Sequence, residues 1–119
     1  MTARTVPSTA GPEPLTLATA RYFKVLADPT RLAILQLLGE GDRSVGELVT
    51  ALGAPQSRVS NHLACLRWCG LVEPEQAGRR VVYRLADHRL SDLLAHANEL
   101  AGEHCDHLAS CGRLGPAWV

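Results

Sequence analysis

The chain reads as a mainly α protein with one β-hairpin, a winged helix-turn-helix with dimerisation helices at its N- and C-terminal ends. Three observations carry that expectation. Two short helical patterns, 45–52 and 55–70, are parted only by Gly53-Ala54, the glycine-bearing turn of a helix-turn-helix. After Gly70 the period changes from helical to alternating, with Val81, Tyr83 and Leu85 on one side and Val82 and Arg84 on the other. Lastly, the first and last helices each carry a wider apolar stripe than a small core needs, which predicts a second subunit.

The elements follow in order. Residues 1–14 hold Pro7, Gly11, Pro12 and Pro14 among Ser, Thr and Ala without apolar periodicity, and read as a flexible arm. Leu15, Ala18, Tyr22, Val25 and Leu26 fall at helical spacing. Asp28-Pro29 then caps and opens a second helix that stops at Gly39 and Gly41. Ser44, with Glu47 three residues on, forms a capping box for the third helix, and Pro55 lies early in the fourth, which ends at Gly70. Pro74, a turn at Ala77-Gly78 and the tip Gly78-Arg79-Arg80 describe a hairpin wing. A last helix starts near His88, with Leu90, Leu93, Leu94, Ala97, Leu100 and Ala101 on one stripe, and Gly112, Gly115 and Pro116 preclude more helix in the tail. The domain division is thus an arm (1–14), a DNA-binding and dimerisation domain (15–109) and a C-terminal tail (110–119).

At 119 residues, 46% hydrophobic and 20% charged, the chain has the size and composition of one soluble globular domain. Its apolar runs are too short to span a bilayer, and the N-terminus lacks a charged-then-apolar signal, so a cytoplasmic protein with no membrane partner is expected. Four cysteines in that compartment point to metal or redox chemistry, because structural disulfides are rare there. The formal net charge is zero, but its distribution is uneven. Residues 54–90 carry Arg58, Arg67, Arg79, Arg80, Arg84 and Arg89 against Glu73, Glu75 and Asp87, while 91–119 carry Arg113 against Asp92, Glu99, Glu103 and Asp106. A basic face can therefore meet phosphates on a neutral molecule. No phosphate loop, nucleophile motif or paired carboxylate argues for an enzyme, and no small organic ligand is expected.

The segments Leu26-Ala27-Asp28-Pro29-Thr30-Arg31-Leu32-Ala33-Ile34-Leu35, Val59-Ser60-Asn61-His62-Leu63, Gly70-Leu71-Val72 and Gly78-Arg79-Arg80-Val81-Val82-Tyr83-Arg84-Leu85 together resemble the ArsR/SmtB repressors over roughly residues 15–105. The resemblance implies a homodimer that binds operator DNA when metal-free and releases it when metal binds. One type of family metal site starts the third helix with thiols. The matching Ser44-Val45-Gly46 has none. A second type lies along the last helix, where the matching positions are Asp87, Arg89, Leu100 and Glu103, and two of these four cannot ligate zinc. His96, His104 and His107 leave only a repositioned site there.

What remains is Cys65-x-x-x-Cys69, within a run similar to the CmtR-type cadmium and lead sensors, in which a third cysteine near the C-terminus of the other subunit completes the site. Residues four apart share a helix face, so these two thiolates can hold one ion. Cys105 and Cys111 are both candidates for the third ligand, and the other tail cysteine, His104 or His107 for a fourth. Thiolate sets select soft ions, with Cd(II) or Pb(II) favoured by the resemblance and Hg(II) or Zn(II) compatible with it. A helix C-terminus disfavours thiolates, so Cys65 and Cys69 should be poor free nucleophiles. A thiol-based redox repressor on the same fold is the alternative.

Early recognition-helix side chains reach base edges while a wing meets the backbone. Gln56, Ser57, Arg58, Ser60, Asn61 and His62 are placed at the groove accordingly, and Arg79 and Arg80 at phosphates or the minor groove. Trp68 is expected to pack against the base of the wing.

Overall fold

The computed structural model describes residues 11–109. Residues 1–10 of the expected arm over 1–14 and the tail over 110–119, with Cys111, lie outside the described residues, and the last arm residue, Pro14, opens the first helix. The order is α1 (Pro14–Leu26), α2 (Pro29–Glu40), β1 (Arg43–Ser44), α3 (Val45–Leu52), α4 (Gln56–Trp68), β2 (Val72–Ala77), β3 (Arg80–Leu85), α5 (His88–Glu103) and α6 (Cys105–Ala109). This is the winged helix-turn-helix that the sequence predicts, with the hairpin widened by one short strand.

Local chemistry sets the boundaries. The Asp28 carboxylate accepts the Arg31 backbone N–H at 2.9 Å, satisfying an amide that α2 cannot pair internally. Ser44 Oγ accepts the Glu47 N–H at 3.2 Å while Glu47 Oε1 accepts the Ser44 N–H at 2.8 Å, which is the capping box in full. Gly53 closes α3 at φ +63°, a conformation that costs other residues strain, and so makes the turn into α4 tight. Gly70 ends α4 at φ +81°. Its N–H donates to the Arg67 carbonyl and that of Leu71 to the Leu66 carbonyl, the paired bonds of a left-handed C-terminal cap.

The sheet has strand order β1-β3-β2 and is antiparallel throughout. In the hairpin Val72 faces Leu85 and Ala77 faces Arg80. Pro74 is tolerated because β2 is an edge strand, where a missing N–H breaks no ladder. β1 adds only the pairs Arg43 with Tyr83 and Ser44 with Val82, yet it ties the start of α3 to the wing.

The core joins Ile34, Leu35 and Leu38 of α2, Leu48 of α3, and Val59, Leu63 and Leu66 of α4 with Leu71, Val72, Leu90 and Leu94. Removing one of the fully buried leucines would cost about 2–5 kcal/mol through lost transfer energy and the cavity left behind. The terminal helices are different. Of α1 only Leu26 is buried, and every residue from Ala95 to Ala109 is exposed. Leu15, Phe23, Leu100 and Leu108 stand in solvent on these two ends of the protomer. No described helix is long and apolar enough to cross a membrane.

Candidate DNA-reading helix and thiol pair

At about 100° per residue the buried Val59, Leu63 and Leu66 define the inward side of α4, and the remaining positions sort around it. Ser57, Asn61 and Trp68 point directly away from the core. Gln56, Ser60 and Arg67 fall on the flank toward the wing, and Arg58, His62, Cys65 and Cys69 on the opposite flank, toward α2. The helix thus presents an outward polar face with one thiol-bearing side. Gln56, Ser57, Arg58 and Asn61 are exposed in its first two turns and Ser60 is half-buried.

His62, expected at the groove, is half-buried on the α2 flank, with Nε2 3.8 Å from Oδ2 of Asp28. That separation is too long for a hydrogen bond but close enough for electrostatic attraction when the imidazole is protonated. Asp28 therefore caps α2 and faces α4 at once. Trp68 departs from expectation more sharply. It is 91% exposed rather than packed on the wing base, because the core is already closed beneath it by Leu63 and Leu66.

Cys65 is half-buried and Cys69 exposed. The Cys69 thiol is pushed up from its ordinary value, first by desolvation, then by the charge and hydrogen bond of the neighbouring Cys65, with Arg31 pulling it back. The two sulfurs are thus in mutual reach, as the i, i+4 spacing requires. At Cys69, desolvation and the neighbouring thiol act against the thiolate in the same direction as the expected helix dipole. Two thiols fit a soft ion, but they do not complete a site. Among the described residues no three His, Cys, Asp or Glu side chains converge, so Cys105, exposed at the start of α6, is not brought to Cys65 and Cys69 within one protomer. Cys111 lies outside the described residues.

At the first position of the alternative site on the last helix, the carboxylate is already paired. Asp87 receives the Arg89 backbone N–H at 2.9 Å and the Arg89 guanidinium at 2.7 Å, and these bonds hold its carboxyl down to about 2.

On the wing the structure divides the arginines. Arg80 donates to Glu47 Oε1 at 2.7 Å, and Arg84 bridges Glu73 at 3.1 Å and Glu75 at 2.9 Å. The Glu47 carboxyl is held below the usual range, mainly by the Ser44 N–H, with Arg80 adding to it. Arg58, Arg67 and Arg79 have no ion-pair partner among the described residues. Sequence spacing pointed to Glu47 as a cap, but nothing in it signalled a partner 33 residues away.

A winged helix-turn-helix with an outward polar recognition helix and unpaired arginines at helix and wing tip defines a DNA-binding transcription regulator. Residues 28–74 match the family described as bacterial regulatory protein, arsR family. Over 96 residues the chain is 43% identical to a probable mercury resistance operon repressor of Streptomyces lividans, covering 81% of this chain and 77% of that protein. The solution structure of the cadmium metal-sensor CmtR from Mycobacterium tuberculosis is 49% identical, with a TM-score of 0.58, covering 65% of this chain and 80% of that one. A homodimeric winged helix-turn-helix DNA-binding domain of a possible ArsR-family regulator from Mycobacterium bovis matches with a TM-score of 0.69 at 37% identity, covering 83% of this chain and 95% of that one. The chain belongs to the ArsR family of transcription regulators, which act by binding DNA and are not enzymes.

Proposed function

We propose that the chain is a homodimeric repressor that leaves its operator when a thiophilic ion, Cd(II) or Pb(II) in the first place and Hg(II) as the next candidate, binds Cys65 and Cys69 together with a tail thiol of the partner subunit. The observation that carries this reading is the placement of two thiols in mutual reach on the helix that reads DNA. The identity with a probable mercury resistance operon repressor and with a cadmium sensor supports a soft ion without choosing between them. No third donor converges among the described residues of one protomer, and we assign the remaining sulfur to Cys105 or Cys111 of the second copy.

When bound, such an ion supplies a rigid link between thiolates. The chain's own part is to put that link on the last turn of α4, beside the left-handed cap at Gly70. A recognition helix tied there to a second subunit loses the freedom to settle in the groove. Linkage then demands that DNA weaken metal binding by the same factor that metal weakens DNA binding. Gln56, Ser57, Arg58, Ser60, Asn61 and His62 are assigned to the groove and Arg79 and Arg80 to the backbone. For His62 and Arg80 this requires exchanging Asp28 and Glu47 for DNA.

The test is an anaerobic titration of the protein on operator DNA with Cd(II), Pb(II), Hg(II) and Zn(II), following sulfur-to-metal charge-transfer absorption and DNA anisotropy together. Joint saturation at one ion per subunit supports the sensor, and the ranking of ions names the inducer. DNA that stays bound while the thiols fill would refute it. The same proximity of Cys65 and Cys69 favours a redox-switched repressor as the second reading, and release by peroxide without metal would select it.

A further inference from the structure

We infer that Trp68 is a DNA contact at the rim of the groove, packing its indole on the sugar-phosphate strand that the end of α4 crosses. The inference rests on the reading of α4 as the recognition helix and adds a residue to it. An indole at 91% exposure is costly in water, since a tryptophan brings roughly 200 Å² of largely apolar surface to whatever covers it. No described residue of its own chain covers it, and its direction says what can.

Trp68 shares the outward side of α4 with Ser57 and Asn61, about 10 Å along the axis from Asn61. A 13-residue helix is about 20 Å long, longer than a major groove is wide, so a helix that crosses the groove with its first turns inside carries its last turn to the groove wall. The α2 flank, where His62 and Cys69 meet Asp28 and Arg31, is on another side of the helix.

The charges agree with this partner. Arg67 lines the same groove as Trp68, and with Arg58 in the first turn of α4 and Arg79 on the wing it makes up the arginines of 54–90 without an ion-pair partner among the described residues. Trp68 borders an open groove of about 360 Å³ between α4 and β3, shared with Ser60, Ala64, Arg67 and Tyr83. An aromatic ring beside the unpaired Arg67 suits a sugar-phosphate strand, where half to two-thirds of protein–DNA hydrogen bonds fall. Trp68 also precedes Cys69 directly and follows Cys65 by three residues. Any tie on those thiols therefore reorients the indole along with them.

The experiment uses the full-length, metal-free protein and a duplex that it selects from random-sequence DNA. Trp118→Phe leaves Trp68 as the single indole, since the chain has two. DNA is expected to shift its emission to the blue and shield it from acrylamide. Trp68→Ala is expected to weaken binding about tenfold with an unchanged unfolding midpoint and sedimentation coefficient, and Trp68→Phe to retain most of the affinity. If the indole stays equally quenchable in the complex and Trp68→Ala binds like the wild type, the proposal is overturned while the repressor reading stands. Dissociation of Trp68→Ala into monomers would assign the residue to a subunit interface and equally overturn it. A wild-type protein that selects no duplex would overturn the repressor reading as well.

Discussion

Cys69 differs from an isolated cysteine in its desolvation and in the field of Cys65 beside it. Desolvation and the Cys65 sulfur disfavour a Cys69 thiolate, so this thiol is protonated at neutral pH and must lose its proton to ligate. Cd(II) affinity should therefore rise with pH, roughly tenfold per unit from this thiol alone, and level only above its raised pKa. Competition with a chelator of known affinity across the neutral range measures that slope, and a flat profile would remove Cys69 from the ligand set. The substitutions Cys65→Ser and Cys69→Ser should leave metal-free operator affinity within about threefold, since neither side chain is on the outward face, but abolish release by cadmium. Anisotropy with and without Cd(II) separates the two effects. If either serine variant is still released by cadmium, that thiol is not part of the switch.

The elements themselves were largely legible, because their signals are local. Asp28-Pro29, the Ser44–Glu47 box and Gly70 each fix a boundary within a few residues of themselves, and each lies where the spacing predicts. What was not legible is long-range. β1 is two residues long, too short to alternate, and exists only because Tyr83 and Val82 lie opposite it. The contacts His62–Asp28 and Arg80–Glu47 join segments 34 and 33 residues apart, and Trp68 is exposed because the core closes without it. The wing's charge balance follows from such pairings. Glu47 neutralises Arg80 but leaves Arg79 available, so Arg79→Ala should lower the salt slope of DNA binding by about one phosphate contact, more than Arg80→Ala does. Glu47→Gln keeps an oxygen for the Ser44 N–H and frees Arg80, which should steepen the slope. Affinities over a range of salt concentrations check both, and equal slopes for the two alanine variants would contradict the pairing.

At the scale of the whole molecule, the protomer is unfinished at its two ends. α1 buries little beyond Leu26 and α5 little beyond Leu94, while Leu15, Phe23 and Leu100 remain in solvent. The winged domain has a core of its own, so these ends are not needed to fold it. They are what a second copy would cover, and in a two-fold dimer each exposed residue meets its own interface twice. A charge placed there is therefore buried twice. Leu100→Glu should leave the winged domain folded and shift the protein to monomer at micromolar concentration, read by sedimentation equilibrium. The consequence for DNA follows from the arginine count. With Arg67 and Arg79 available in each protomer, a dimer places about four cations on phosphate and its log affinity should fall with log salt at a slope of about −3.6. The monomeric variant should show about half that slope, with affinity reduced far more than twofold because the second half-site no longer binds as part of the same molecule. A variant that stays dimeric, or a monomer that keeps the full slope, would place the subunit contact elsewhere than on these helices.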